Sequence, residues 1–146
     1  MTVNLWFDRP ILQSKFLGFV GGRMQWAFDK SQILADGGGH VSMVSSGADD
    51  LLRMENDALT ELARAELIAR APAGRQSARL LRSVVVRESR ATFSLAPGQP
   101  HRPGTVTPLR GFYLAGDWTD TGLPATIEGA VLSGHRAAAA ILHRPN

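Results

Sequence analysis

Hydrophobic and polar residues alternate along much of the first 46 positions. Val3, Leu5 and Phe7 alternate with Thr2, Asn4 and Trp6. This period of two predicts a strand over residues 2–7, which ends before Pro10. Further strands are predicted over residues 16–20, 24–29 and 40–45, and the Gly-rich segment 21–23 suits a hairpin between the first two. We therefore expect an antiparallel sheet with a loop at residues 36–39.

The hydrophobic period changes from two to a helical spacing after residue 49. The apolar positions of this segment are Leu52, Leu59, Leu62, Ala63 and Leu67. They predict one helix of about five turns that ends at Pro72, and Asp49 and Asp50 offer N-cap chemistry at its start. Residues 78–90 contain a β-branched stretch that predicts another strand.

Residues 95–108 contain four prolines and are predicted to run over the surface, with a domain boundary that separates residues 1–95 from residues 96–146. Residues 111–116 form a short apolar run that predicts a buried strand ending at Asp117. Pro124 then suits the start of a helix. The predicted apolar face of this helix contains Ile127, Ala130, Val131, Gly134, Ala138, Ile141 and Leu142. The predicted fold class is α+β, an antiparallel sheet with packed helices plus a C-terminal strand-turn-helix.

The composition changes this picture little. The chain has 146 residues, 44% hydrophobic and 20% charged, which predicts a folded protein with one core. Because there is no cysteine, disulfides and thiolate metal sites are excluded. No apolar run reaches the length of a membrane span, and no signal-peptide pattern opens the chain, so we expect a cytoplasmic location.

The net charge is +3, and 14 of the 16 basic residues are arginines scattered along the chain. This scatter favours a solvated surface over nucleic-acid binding, and leaves peripheral contact with an acidic membrane as a weak hypothesis. The four histidines, His40, His101, His135 and His143, have no metal-site spacing. The acidic group Asp49, Asp50, Glu55 and Asp57 fits helix capping better than calcium binding, so no metal is predicted.

The predicted strand-turn-helix suggests a ligand site. Unpaired backbone N–H groups at a helix start favour an anion at residues 125–127. Asp117 would lie at the end of the strand, where its carboxylate could accept hydrogen bonds from ligand hydroxyls. Without other information, an ordinary turn residue is the more frequent role of such an aspartate.

Three segments resemble one enzyme superfamily. Residues 114–119 (LAGDWT) and 122–134 (GLPATIEGAVLSG) resemble the C-terminal flavin motif of the phytoene desaturase and amine oxidase superfamily. Within this superfamily, the two segments are most similar to the squalene-associated branch, typified by hydroxysqualene dehydroxylase. Residues 25–29 (QWAFD), and Ala91-Thr92-Phe93 ahead of Arg102-Pro103, add support. The resemblance covers nearly the whole chain.

The resemblance implies FAD as cofactor and a squalene-like or carotenoid-like isoprenoid as substrate. It implies that Asp117 accepts hydrogen bonds from the ribityl or phosphate region, and that the backbone of residues 125–127 faces the N1 and C2 carbonyl edge of the isoalloxazine. The implied cofactor-binding residues are Gly116, Asp117, Trp118, Pro124, Ala125, Thr126 and Ile127. Trp26 and Phe28 are candidate substrate contacts, although aromatic residues on alternating strand positions are often core. No catalytic residue is named, because hydride transfer at a flavin depends mainly on positioning.

The sequence departs from the family at one point. Neither Gly21-Gly22 nor Gly37-Gly38-Gly39 has the Gly-x-Gly-x-x-Gly spacing that binds the ADP half of a dinucleotide. We therefore expect an incomplete enzyme that binds FAD weakly, is inactive alone and needs a complementary N-terminal half. The alternatives are a non-catalytic module that forms homodimers and a fragment of a flavin amine oxidase.

Overall fold

The computed structural model describes residues 1–35, 38–91, 93–94 and 96–143. The chain divides into two compact units, Met1–Ser89 and Arg90–Asn146. The division lies six residues before the boundary expected from the proline-rich segment.

A five-stranded antiparallel sheet forms the frame of the N-terminal unit. Its strands are β1 (Thr2–Phe7), β2 (Phe16–Gly18), β3 (Trp26–Asp29), β4 (Gly39–Val44) and β5 (Leu80–Val86). Their spatial order is β2-β3-β4-β1-β5. All five strands were predicted from the sequence, and the α+β class with an antiparallel sheet and packed helices is confirmed.

Three helices accompany this sheet and a fourth belongs to the C-terminal unit. They are α1 (Lys30–Leu34), α2 (Asp49–Leu52), α3 (Asn56–Ile68) and α4 (Ile127–Leu142). None of the described helices is long and apolar enough to cross a lipid bilayer. The short helix α1 lies between β3 and β4, where no helix was predicted, and residues 36 and 37 of the expected loop lie outside the described residues.

The core of the N-terminal unit lies between one face of the sheet and helix α3. Val3 and Leu5 of β1 are fully buried there. Leu59, Ala63 and Leu67, spaced four residues apart on α3, are also fully buried. The alternation that predicted β1 therefore corresponds to one buried and one half-buried face, as expected for a sheet covered on one side.

The single long helix predicted after residue 49 is wrong, because the chain breaks it into α2 and α3. Glu55, at the break, has an extended backbone. Arg87 stabilises the break, since its guanidinium donates to the carbonyl of Met54 at 2.6 Å and to the side-chain oxygen of Asn56 at 2.5 Å. Asp49 and Asp50 lie in the first turn of α2, whereas the N-cap position is Ala48.

The strand predicted over residues 111–116 is also absent. Only one β-bridge, between Val106 and Tyr113, forms in this part of the described chain. A strand needs a neighbour along its length, and Gly111 and Gly116 both have positive φ angles, which interrupt an extended conformation. Helix α4 begins at Ile127, three residues after Pro124.

Candidate functional site

The segment between residues 116 and 126, here called the motif loop, begins with a glycine that no other residue can replace without strain. Gly116 has φ +144°, and a Cβ atom there would lie 2.6 Å from Cδ1 of Trp118. The carbonyl of Gly116 accepts from the Thr119 hydroxyl at 2.8 Å and from the Thr119 N–H at 3.1 Å. The start of the motif loop is therefore a tight turn with Trp118 folded against it.

Arg102 ties the two ends of the motif loop together. Its guanidinium donates to the carbonyls of Asp117 at 2.6 Å and Leu123 at 2.5 Å, with a longer contact of 3.4 Å to the carbonyl of Trp118. The guanidinium also lies 5.4 Å from the centre of the Phe93 ring. Because the five N–H donors of arginine form a rigid planar fork, one side chain can orient several carbonyls at once.

Helix α4 is attached to the motif loop by small residues on its buried side. The hydroxyl of Thr126, the N-cap residue, accepts from the N–H of Gly129 at 3.2 Å. A Cβ atom on Gly129 would lie only 2.8 Å from the carbonyl oxygen of Pro124. Ser133, which is fully buried, accepts from the N–H of Gly116 at 2.7 Å. These contacts bring the first turns of α4 against both ends of the loop.

This geometry brings the implied cofactor residues together in two groups. Gly116, Asp117 and Trp118 lie at the start of the motif loop. Pro124, Ala125, Thr126 and Ile127 lie at its end and at the start of α4. Arg102 joins the groups through the carbonyls of Asp117 and Leu123.

Unpaired polar groups of the loop suit a ligand with both hydroxyls and negative charge. Asp117 is half-buried, and its carboxylate makes no hydrogen bond or ion pair with any described residue. Among the described residues, none accepts a hydrogen bond from the backbone N–H of Ile127 or Glu128. A carboxylate accepts from hydroxyls, and a helix start favours an anion, so the residues present fit the ribityl and flavin edges of FAD.

An open cleft of about 520 Å³ lies beside Arg102. Its lining includes Phe93, His101, Arg102, Trp118 and Asp120. The backbone N–H of Asp120 donates to the carbonyl of Pro103 at 2.8 Å, which holds one wall of the cleft to the proline-rich segment. The cleft is confined to residues of the C-terminal unit.

The two candidate substrate residues belong to the N-terminal unit. Trp26 and Phe28 project from β3 on the sheet face opposite α3, and Phe16 of β2 joins them. Their three ring centres are each 6.4 Å apart, and the rings of Trp26 and Phe28 are stacked at 24°. Trp26 is 45% exposed and Phe28 is half-buried, so these aromatic residues are not part of the core.

The apolar face predicted for α4 is largely exposed. Ile127 is 85% exposed, Val131 51% and Leu142 79%. The residues that α4 buries are Gly129 and Ser133 instead. These small residues allow the close approach of α4 to the motif loop.

Residues 1–142 match the family of flavin-containing amine oxidoreductases, and the chain belongs to that family. Among its relatives, it is 40% identical over 141 residues to the hydroxysqualene dehydroxylase of Sinorhizobium fredii, covering 96% of this chain and 31% of the relative. It is 44% identical over 126 residues to the hydroxysqualene dehydroxylase of Rhodopseudomonas palustris, covering 86% of this chain and 28% of the relative. It is 30% identical over 153 residues to a 15-cis-phytoene desaturase of an Oncidium hybrid, covering 97% of this chain and 26% of the relative. The chain thus spans less than a third of the length of these relatives.

Sequence reasoning missed two residues that organise the site. Arg102 was noticed only as part of a family segment, and nothing local to its proline-rich surroundings indicates that it contacts three carbonyls. Ser133 gave a weak signal, since it is the one hydroxyl residue among the apolar and small residues of α4. A hydroxyl residue among small residues of a helix suggests a buried hydrogen bond, although its partner cannot be read from spacing.

Proposed function

We propose that this chain is the C-terminal portion of an FAD-dependent oxidoreductase that acts on a squalene-like or carotenoid-like isoprenoid. The observation that carries the proposal is the motif loop, in which Arg102 holds Asp117 next to the start of α4. The family match supports the flavin. The names of the relatives, hydroxysqualene dehydroxylase and phytoene desaturase, support an isoprenoid substrate.

In this proposal the motif loop holds the flavin half of FAD. The carboxylate of Asp117 accepts hydrogen bonds from the ribityl chain, and the free N–H groups of Ile127 and Glu128 favour the flavin edge that gains negative charge. The absence of a side chain at Gly129 keeps the loop close to α4, and its absence at Gly116 leaves space for the Trp118 ring. The bound flavin supplies the hydride chemistry, while the residues of this chain orient it.

The open face of the sheet is the proposed contact for the isoprenoid. Phe16, Trp26 and Phe28 form a continuous aromatic surface there. Half-exposed aromatic rings can bury a hydrocarbon chain without disturbing a core, because the apolar area is already presented to the ligand.

The ADP half of the cofactor needs residues beyond those described in this chain. Gly21 lies in the turn between β2 and β3, and Gly39 lies within β4. Neither stands at a strand-to-helix turn of the kind that holds a pyrophosphate. We therefore expect weak FAD binding and no turnover by this chain alone, with a complementary N-terminal half required for activity.

The test is a titration of the purified chain with FAD, followed by flavin fluorescence. Saturable binding that Asp117→Ala abolishes is the expected result. Asp57→Ala, which removes an exposed carboxylate from the first turn of α3, is the matched control and should bind FAD like the unmodified chain. Equal binding by the Asp117→Ala variant would contradict the proposed role of the loop.

A second candidate function follows from helix α4. Its exposed apolar residues, which include Ile127, Val131 and Leu142, form a surface that would be stabilised by a protein partner. A second copy of the chain is one such partner, which would make the chain a dimeric interaction module without catalysis. The test measures the molar mass of the unmodified chain and of Val131→Asp by light scattering. If the chain forms a dimer through α4, the charge in Val131→Asp should dissociate it.

A further inference from the structure

The open face of the sheet carries polar side chains as well as aromatic ones. One cross-strand row runs over all five strands on this face, and it contains Phe16, Phe28, Ser42, Asn4 and Val84. Asn4 therefore lies on the second strand from one edge, with Ser42 between it and the aromatic residues. Neighbouring strands are about 4.8 Å apart, so about 10 Å separates Asn4 from Phe28.

The side chain of Asn4 is held in one orientation by two neighbours on β4. The hydroxyl of Ser42 donates to Oδ1 of Asn4 at 2.5 Å. Nε2 of His40 lies 3.2 Å from the same oxygen. The His40 ring is stacked on the indole of Trp6, with ring centres 4.2 Å apart and an interplanar angle of 15°. These contacts use the oxygen of the amide and direct its nitrogen away from them.

The amide nitrogen of Asn4 is therefore a positioned donor. Among the described residues, none accepts a hydrogen bond from Nδ2 of Asn4. Two N–H donors remain available on a half-buried side chain, and Ser42 lies between this side chain and the aromatic surface of Phe16, Trp26 and Phe28. A neutral amide donor matches a neutral oxygen acceptor, and an oxygen atom at the end of a hydrocarbon chain fits both features.

We propose that Asn4 binds the hydroxyl oxygen of an isoprenoid alcohol whose hydrocarbon chain lies along the aromatic row. This inference rests on the proposed isoprenoid substrate class and specifies where its oxygen is recognised. Ser42 and His40 are positioning residues, since they act on the ligand through the orientation of the Asn4 amide.

The test compares farnesol, an isoprenoid alcohol, with farnesene, the corresponding hydrocarbon without the hydroxyl group. Binding to the whole chain is followed by tryptophan fluorescence, because Trp6 and Trp26 lie on this face. Farnesol should bind about fivefold more tightly than farnesene, the size expected for one net hydrogen bond.

Three variants examine the role of the amide. Asn4→Leu has nearly the same volume but removes both N–H donors and offers no acceptor to the alcohol, so the preference for farnesol should disappear. Asn56→Leu makes the same chemical change at the start of α3, where the side-chain oxygen contacts Arg87, and should keep the preference. Ser42→Ala, checked for folding by circular dichroism, should reduce the preference because the amide loses one orienting contact.

Equal affinity for the two probes in the unmodified chain, or a preference that persists in Asn4→Leu, would overturn the hydroxyl site and leave the isoprenoid class standing. Binding of neither probe would overturn the hydroxyl site and count against the isoprenoid class as well. The FAD titration addresses the cofactor part of the proposed function separately.

Discussion

The hydroxyl of Ser133 accepts a hydrogen bond from the backbone N–H of Gly116 at 2.7 Å and donates to the carbonyl of Ala130, also at 2.7 Å. Seventeen residues separate Ser133 from Gly116 in the chain. The contact joins helix α4 to the first residue of the motif loop. Because Ser133 is fully buried, water cannot easily replace it as the partner of the Gly116 N–H.

Ser133→Ala should therefore loosen the start of the motif loop. Loss of a partner for a buried polar group costs about 1–3 kcal/mol. Hydrogen exchange measured by NMR should show faster exchange of the Gly116 amide in the variant. Ser77→Ala, on an exposed serine of the N-terminal unit, should leave that amide unchanged. An unaltered exchange rate in Ser133→Ala would show that the contact does not hold the loop.

Two glycines of α4 should respond in opposite directions to substitution by alanine. Gly129→Ala places a Cβ atom 2.8 Å from the Pro124 carbonyl, so the loop must shift, at a cost of about 1–3 kcal/mol. Gly134→Ala meets no atom within 4 Å and should stabilise the helix by roughly 0.5–1 kcal/mol. Urea unfolding followed by circular dichroism gives both values. A loss of stability in Gly134→Ala as large as that in Gly129→Ala would contradict the close contact.

Arg102→Lys should release the motif loop although the charge is kept. A lysine ammonium cannot occupy the planar arrangement that contacts the carbonyls of Asp117 and Leu123 together. The free energy of unfolding should decrease by at least about 1.5 kcal/mol, since hydrogen bonds from charged donors contribute about 1.5–3 kcal/mol each. Limited proteolysis should cut the variant faster within residues 117–123.

Arg110→Lys is the matched control for the Arg102 variant, because Arg110 is exposed and makes no hydrogen bond to the described residues. Its proteolysis rate should equal that of the unmodified chain. If both variants were cut at that same rate, Arg102 would not be the residue that restrains the loop.

Acid should weaken the attachment between β1 and β5 through Asp8. A hydrogen bond from Arg9, together with one from the backbone N–H of Arg79 at 3.0 Å, lowers the pKa of Asp8. Because the folded-state pKa lies below the unfolded value of about 3.9, this stabilisation is present above that pH and is lost as the pH falls through the folded value. The thermal unfolding midpoint should therefore fall as the pH is lowered below about 4.

Asp8→Asn tests this origin of the acid sensitivity. The amide oxygen of asparagine can still accept from Arg79, but its charge does not change with pH, so the midpoint should fall less steeply on acidification. Asp57→Asn changes an exposed residue of α3, and its unfolding midpoint should fall on acidification as that of the unmodified chain does. If the unfolding midpoint depended on pH equally steeply in Asp8→Asn and in the unmodified chain, Asp8 would be excluded as a source of the acid sensitivity.

Much of the fold could be predicted because its signals are local. The alternation of Val3, Leu5 and Phe7 indicated β1, and the spacing of Leu59, Ala63 and Leu67 indicated the buried side of α3. Local patterns could not show the break between α2 and α3, because Arg87, more than thirty residues away, stabilises it. They also overestimated the strand at residues 111–116, since an apolar run needs a neighbouring strand to become one.

The sequence by itself determined the α+β class, the family resemblance and the position of the motif loop, because turn glycines, periodicity and a continuous motif act over a few residues. Only the tertiary structure decided how that loop is held. Arg102 and Ser133 each contact residues at least fifteen positions away. The tertiary structure also placed Asn4 next to Ser42 and His40, since strand pairing sets which distant residues are neighbours.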